Sequence, residues 1–309
     1  MKTYKFGMSH VFQHLFGRLG FTLVAICLIF SSYSAIGADW LALDPSTKIV
    51  PLKWDWQLAV PVKANPDTSI KIYDIEMFEN EKSGAVKMLH DKGYKVICYI
   101  DVGSWENWRD DKNAFLPTTQ SPEKIIGAKY SGFPDENWLD IRDVFRTNGK
   151  LAGILKKRFE RAQAMGCDAV EPDNMDGYDT TAHESSGFPL TYEDQIAFNL
   201  WVADEVQKLY AKNSSTGEKM RVGLKNDINQ AHDSRIYNRF DFVVSEQCFQ
   251  YNECGYFSDF LIANKPVFEA EYGMALTNFC PKAKPLRISA IKKRNSLNTT
   301  RTDCSAYYP

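Results

Sequence analysis

Histidine is scarce in this 309-residue chain. Beyond residue 37 only His90, His183 and His232 remain, far apart, so a His-rich metal centre or a Ser/His/Asp triad has little to build on. No Cys-x-x-Cys pair is present, which argues against a zinc site, and neither a Gly-x-Ser-x-Gly elbow nor a Walker loop occurs. Ser121-Pro122-Glu123-Lys124 matches Ser-x-x-Lys but lacks the partner motifs of that chemistry. Lys and Arg form no cluster, so nucleic acid is not an expected partner. Repeats, low-complexity tracts and an interdomain linker are also lacking. These absences point to a chemistry that needs neither metal nor cofactor.

No apolar run approaches the ~20 residues of a membrane span. The longest useful one, Phe21 to Phe30, follows Lys2, Lys5 and Arg18 and precedes small residues at Ala35, Gly37 and Ala38. That order reads as a cleavable secretory signal over residues 1–37, with an uncleaved anchor as the alternative. The expected product is a secreted or periplasmic domain of residues 38–309, monomeric and free of the membrane. Setting aside the three cations of the first segment leaves 34 basic against 39 acidic residues, a net charge of −5. The six cysteines of this part, an even number, permit disulfides. Cys248 with Cys254 and Cys280 with Cys304 read as local staples, while Cys98 and Cys167 either pair or remain buried thiols.

Strand-like runs alternate with helical ones from Trp54 onward. Strands are expected near Trp54–Leu58, Ile70–Phe78, Lys95–Ser104, Asp168–Asp173, Arg221–Asn226, Phe240–Gln247, Lys265–Glu271 and Arg287–Lys292. Helices are expected over Glu81–Lys92, Gly149–Met165 and Tyr192–Lys212, the last with Thr191 as its N-cap and Asp194 three residues on. Eight strands with crossovers predict an α/β fold: a single (β/α)8 TIM-like barrel with long loops at the C-terminal face of its strands. An open doubly wound sheet is the competitor, but no glycine-rich loop follows the first strand. Two connections, Trp105 to Arg142 and Asp179 to Pro189, are long enough to carry function, and the first is rich in aromatics.

Strand ends are where the chemistry gathers. Six apolar runs finish in acids or amides, and the densest is Glu171-Pro172-Asp173-Asn174-Met175-Asp176-Gly177-Tyr178. Alternation puts Glu171 and Asp173 on one side of their strand, in a barrel's mouth. An ordinary turn whose acids satisfy backbone amides needs only one or two such residues. Calcium or magnesium binding by the acids of Glu171–Asp176 is an alternative, although the run does not have the spacing of an EF-hand loop. Glu246 ends a second apolar run, where an acid is costly unless paired or functional. Two carboxylates on separate strands fit glycoside hydrolysis, in which one protonates the leaving oxygen and the other attacks carbon or activates water. Trp54, Trp56, Trp105, Trp108 and Trp138 are candidate sugar platforms or simply packing. Lys225 is either a paired structural lysine or a site residue beside Asn226, and Glu271 closes another strand.

At these residues the chain resembles the endo-α-1,4-polygalactosaminidases of glycoside hydrolase family 114. The likeness covers roughly Trp54 to Arg294. It rests on the order and spacing of Trp54-Asp55-Trp56-Gln57-Leu58, Tyr73-Asp74-Ile75-Glu76, Val96 to Ser104, Gly166 to Tyr178, Gly223-Leu224-Lys225-Asn226 and Ser245-Glu246-Gln247-Cys248. The resemblance implies a TIM-like barrel that hydrolyses galactosamine polymers such as galactosaminogalactan by a retaining mechanism. It implies Asp173 as nucleophile and Glu246 as general acid/base, with Asp55, Asp74, Asp101, Asn174 and Asp176 shaping the sugar subsites. The remaining alternatives are the same fold acting on another hexosamine or α-galactoside polymer, and a non-catalytic carbohydrate-binding barrel.

Overall fold

The structure is a computed structural model that describes residues 39–41, 52–181, 184–212 and 217–307. The signal assigned to residues 1–37 and His183 lie outside the described residues. Eight parallel strands run in sequence order: β1 (Trp54–Gln57), β2 (Ile72–Glu76), β3 (Lys95–Asp101), β4 (Ala169–Asp173), β5 (Arg221–Lys225), β6 (Phe242–Glu246), β7 (Val267–Glu271) and β8 (Ser289–Lys292). All eight fall on the expected runs, each shortened at one or both ends. The seam between β1 and β8 is bridged by side chains: Trp54 Nε1 donates to Ser289 O (2.7 Å) and Lys293 Nζ to Asp55 Oδ1 (2.9 Å). Arg301 reaches Trp54 O from the segment whose residues Thr302–Asp303 pair antiparallel with β8.

Strand alternation sorts the side chains into two apolar layers. Trp54, Trp56, Ile72, Ile97, Ala169, Phe242, Val244, Phe268, Ala270 and Ile291 pack together inside the barrel. The alternate residues, among them Ile75, Val96, Cys98, Val170, Val222, Leu224 and Val243, form a larger layer with the helices outside. Both faces of each strand are thus covered, as parallel sheets require.

Helices α1 (Met77–Asn80) and α2 (Ala85–His90) follow β2, and α3 (Leu151–Met165) and α4 (Tyr192–Gln207) follow β3 and β4. Short helices α5 (Ser234–Tyr237) and α6 (Ser258–Ile262), then α7 (Leu276–Leu286), complete the crossovers. In α3, buried Leu151, Ile154, Leu155, Phe159 and Ala162 recur at three- and four-residue spacing, and Gly166 closes the helix in a left-handed conformation. The expected Thr191 cap of α4 is a full capping box with Asp194. The expected 81–92 helix is shorter because Gly84, at φ 75°, interrupts it before α2.

The long connection after β3 is not a bare loop. It forms a three-stranded antiparallel sheet of Ser104–Glu106, Phe133–Leu139 and Ile126–Tyr130, in that spatial order. The second long connection docks on this sheet through Ala128 N to Ser186 O (2.9 Å). Cys98 pairs with Cys167, Cys248 with Cys254 and Cys280 with Cys304 as disulfides. No helix among the described residues is long and apolar enough to cross a membrane.

Candidate active site

Three adjacent strands, β4, β5 and β6, deliver the central groups. Each ends on a functional side chain and then turns at once: Asn174, Asn226 and Gln247 have φ of 60°, 48° and 60°. Asparagine tolerates the left-handed region better than most residues, so two of these turns cost little. Both asparagines also use their side chains. Asn174 Nδ2 donates to Asp101 Oδ2 (2.7 Å), and Asn226 Oδ1 accepts from Glu246 N (3.0 Å).

Lys225 stands at the centre with almost no exposure. Its Nζ lies 3.0 Å from Glu171 Oε1, 3.3 Å from Asp173 Oδ1 and 3.3 Å from Glu246 Oε1. The ring of Trp56 is 4.9 Å away and that of Tyr99 5.7 Å. Burial by itself would pull this ammonium toward neutrality, but the three carboxylates around it raise its pKa well above the ordinary lysine value.

Beneath it, Glu171 accepts from Trp56 Nε1 (3.1 Å). Asp74 is fully buried beside Glu171. Desolvation first, then the Glu171 charge, push the Asp74 carboxyl well above the ordinary carboxylate range. The base of the site is therefore two buried neighbouring carboxyls, one of them held by the lysine.

Above it, the two candidate catalytic acids are partly open, with side-chain exposures of 20% for Asp173 and 29% for Glu246. Asp173 accepts from Tyr99 OH (2.8 Å) and from Asn174 N (2.8 Å), while the Tyr272 hydroxyl donates to Glu246. Burial and nearby acids raise the pKa values of both tyrosines, which keeps them as phenol donors. Neither Tyr99 nor Tyr272 is evident as a site residue in the sequence. The available signals are that Tyr99 sits two residues before Asp101 on the same strand face, and that Tyr272 directly follows a strand end.

Asp101 pairs in register with Asp173. It accepts from Gly103 N, Ser104 N, Ser104 Oγ and Asn174 Nδ2, so it braces the mouth more than it offers itself to a ligand. Arg158, buried in α3, holds Asp101 O from behind (2.7 Å). A Cβ on Gly103 would lie 1.7 Å from Asn174 O, so only glycine lets these two strand ends approach. Asp176 and Tyr178 are half-buried along the same rim; Tyr178 meets Tyr192 edge-on at 5.6 Å.

Several expected site residues lie elsewhere. Trp54 is fully buried against Phe268 and gives its ring nitrogen to Ser289 O, so it presents no face to a sugar. Asp55 points out of the barrel, where alternation sends it, and pairs with Lys293 at the seam. Glu271 also faces outward: its Oε1 accepts from Phe249 N (2.9 Å) and Gln250 N (3.0 Å), holding the loop closed by Cys248 and Cys254. Trp105 gives its ring nitrogen to Lys112 O and packs against the core, Trp138 is buried against Tyr130, and Trp108 is 47% exposed beneath Arg109. The three-stranded sheet instead brings Tyr130, stacked on exposed Phe133, close enough to feel the charges of Asp173, Asp176 and Asp101.

The family model described as glycoside-hydrolase family GH114 matches residues 36–308. Among solved structures the chain is similar to Aspergillus fumigatus Ega3 in complex with galactosamine. That likeness has 32% identity and a TM-score of 0.68, over 83% of this chain and 96% of that one. The glycoside hydrolase domain of PelA from Pseudomonas aeruginosa is similar at 11% identity and a TM-score of 0.57, over 82% of this chain and 98% of that one; this likeness speaks to the fold alone. No curated protein sequence matches.

Proposed function

The chain belongs to glycoside-hydrolase family GH114, and we propose that it is a secreted, monomeric endo-hydrolase of α-1,4-linked galactosamine and N-acetylgalactosamine polymers, acting with retention. The observation that carries the mechanism is the position of Lys225 Nζ, 3.3 Å from an oxygen of Asp173 and 3.3 Å from an oxygen of Glu246. Two oxygens that share one ammonium at this range lie at or inside the lower edge of the ~6.5–9.5 Å spacing that leaves room for an attacking water, which favours the ~5–5.5 Å spacing of retaining pairs.

In this reading the Asp173 carboxylate attacks the anomeric carbon while Glu246 gives its proton to the departing glycosidic oxygen. The sugar is then held as an ester of Asp173. Glu246, now a carboxylate, takes a proton from water, whose oxygen attacks the same carbon and releases Asp173. Tyr99 and the Asn174 amide aim the nucleophile, and Tyr272 holds the acid/base. Similarity to a protein that binds galactosamine supports an amino sugar as substrate, and the acid-lined mouth suits a partly deacetylated, cationic chain. Three disulfides together with the sequence pattern of residues 1–37 support secretion.

Reducing-end release from galactosaminogalactan at several degrees of acetylation, with wild type beside Glu246→Gln, tests this. Release by wild type and a loss of roughly 10²–10⁴-fold in the variant are expected. Binding without release at every acetylation level would move the assignment to another polymer or to a non-catalytic sugar-binding barrel.

A further inference from the structure

Three aromatic rings lead outward from the rim of the mouth. Trp138 is buried on Gly177, where a built Cβ would come within 3.0 Å of its ring. Gly177 directly follows Asp176, so this ring marks the edge of the site. Tyr130 packs on Trp138 with ring centres 4.5 Å apart, and Phe133 stacks on Tyr130 at 5.2 Å and 22°. Exposure rises along the series, from buried Trp138 through half-buried Tyr130 to Phe133 at 53%. The sheet that carries them grows from the end of β3, where Gly103 O accepts from Leu139 N (2.9 Å) and Ser104 Oγ holds Asp101, the register partner of Asp173. The rings thus continue the wall of the mouth on the nucleophile's side.

This stack is braced. Tyr130 and Phe133 are register partners across the turn at Ser131 and Gly132, with Gly132 at φ 83°. Lys129 Nζ donates to Pro134 O (2.8 Å) and Asn137 Nδ2 to Gly127 O (3.0 Å), tying the hairpin to itself. From the second long connection, Ser186 O accepts from Ala128 N (2.9 Å), and Glu184 Oε1 accepts from Ser131 N and Trp138 Nε1. A single exposed phenylalanine is ordinary. An aromatic pair fixed in advance at a ligand's edge is a different surface, because its side chains need little further ordering when the ligand arrives.

We propose that Tyr130 and Phe133 form an aromatic platform for a ring of the polymer beyond the two joined by the scissile bond. This inference rests on the reading of the mouth as a site for a galactosamine polymer. A galacto-configured ring suits the surface, since its axial C4 oxygen leaves the opposite face a patch of C–H bonds that packs on an aromatic face. The contact holds substrate and transition state alike, so it contributes binding rather than rate.

Phe133→Ala removes the exposed ring and leaves the catalytic pair and its partners in place. In reducing-end assays on galactosaminogalactan, KM should rise roughly three- to tenfold while kcat holds, and Phe133→Tyr should restore the wild-type value. Calorimetry in a Glu246→Gln background should show the same loss of polymer affinity where cleavage plays no part. An unchanged KM, a fall in kcat without a rise in KM, or a failure of Phe133→Tyr to restore binding would overturn the platform. Cleavage by wild type with no Phe133 effect removes the platform and leaves the enzyme assignment standing. A Phe133 effect on binding without cleavage by wild type does the reverse, and neither binding nor cleavage of the polymer overturns both.

Discussion

Lys225 and Glu171 form an ion pair 3.0 Å apart with side-chain exposures of 1% and 0%. Such a pair adds little net stability compared with well-packed apolar residues, but breaking it strands a charge in the core. Its value here is placement, since the same ammonium also touches Asp173 and Glu246. Lys225→Met should lower the unfolding free energy by about 3–5 kcal/mol and turnover by roughly 10²-fold or more. Urea unfolding followed by single-turnover assays below the new midpoint checks both. Wild-type stability in the variant would mean that Glu171 takes up a proton without cost.

The approach of Gly103 to Asn174 leaves no room for a side chain, with Asn174 O at 1.7 Å and Asn174 C at 2.7 Å from a built Cβ. The same Asn174 gives its backbone amide to Asp173. Gly103→Ala should destabilise by about 1–3 kcal/mol through overpacking. Turnover should fall roughly 10²-fold, because a displacement of about 1 Å at the nucleophile spoils alignment. Thermal unfolding and kcat measured together decide the matter; a wild-type kcat would show that the β3 end yields without moving Asp173.

Asp168, just before β4, is 3% exposed and accepts from His90 Nε2 (2.8 Å), Lys95 Nζ (2.7 Å) and Val96 N (2.9 Å). Burial would raise its pKa, but these three donors outweigh it and hold the carboxyl below its ordinary value. The folded pKa lies below the unfolded one, so the stabilisation is complete above about pH 4–5 and drains away as pH falls below that. Asp168→Asn should cost about 2–4 kcal/mol at neutral pH, with the gap to wild type narrowing in acid. Denaturation curves between roughly pH 3 and 8 test the sign; a gap that widens in acid would refute it.

Most of the fold was legible because two periodicities carry it. Strand-length apolar runs separated by amphipathic stretches announce a parallel barrel, and all eight runs became strands in sequence order. The connection after β3 was legible only as long and aromatic. Its strands are half-polar, and the first of them, Ser104–Glu106, takes its register from residues 136–138, thirty or more positions further along the chain.

The site divides along the same line. Asp173, Glu246, Glu171, Asp74 and Asp101 could be proposed from their places at strand ends, since alternation around Glu171 and Asp173 points them inward. The same argument failed for Glu271, which ends its strand on the outward-facing side; Asp55, expected from the resemblance, also faces outward, and Trp54, expected as a sugar platform, lies too deep in the barrel to meet a ligand. Sequence alone determined which strands exist and which carboxylates crowd their ends, because that information is local and repeats every two residues. Only the tertiary structure decided that Lys225 joins three of those carboxylates, that Tyr99 and Tyr272 hold the two catalytic candidates, and that Glu136 shares a serine with Asp101. Each of those contacts joins side chains from different strands, and distances across a closing sheet are set by packing rather than by spacing along the chain.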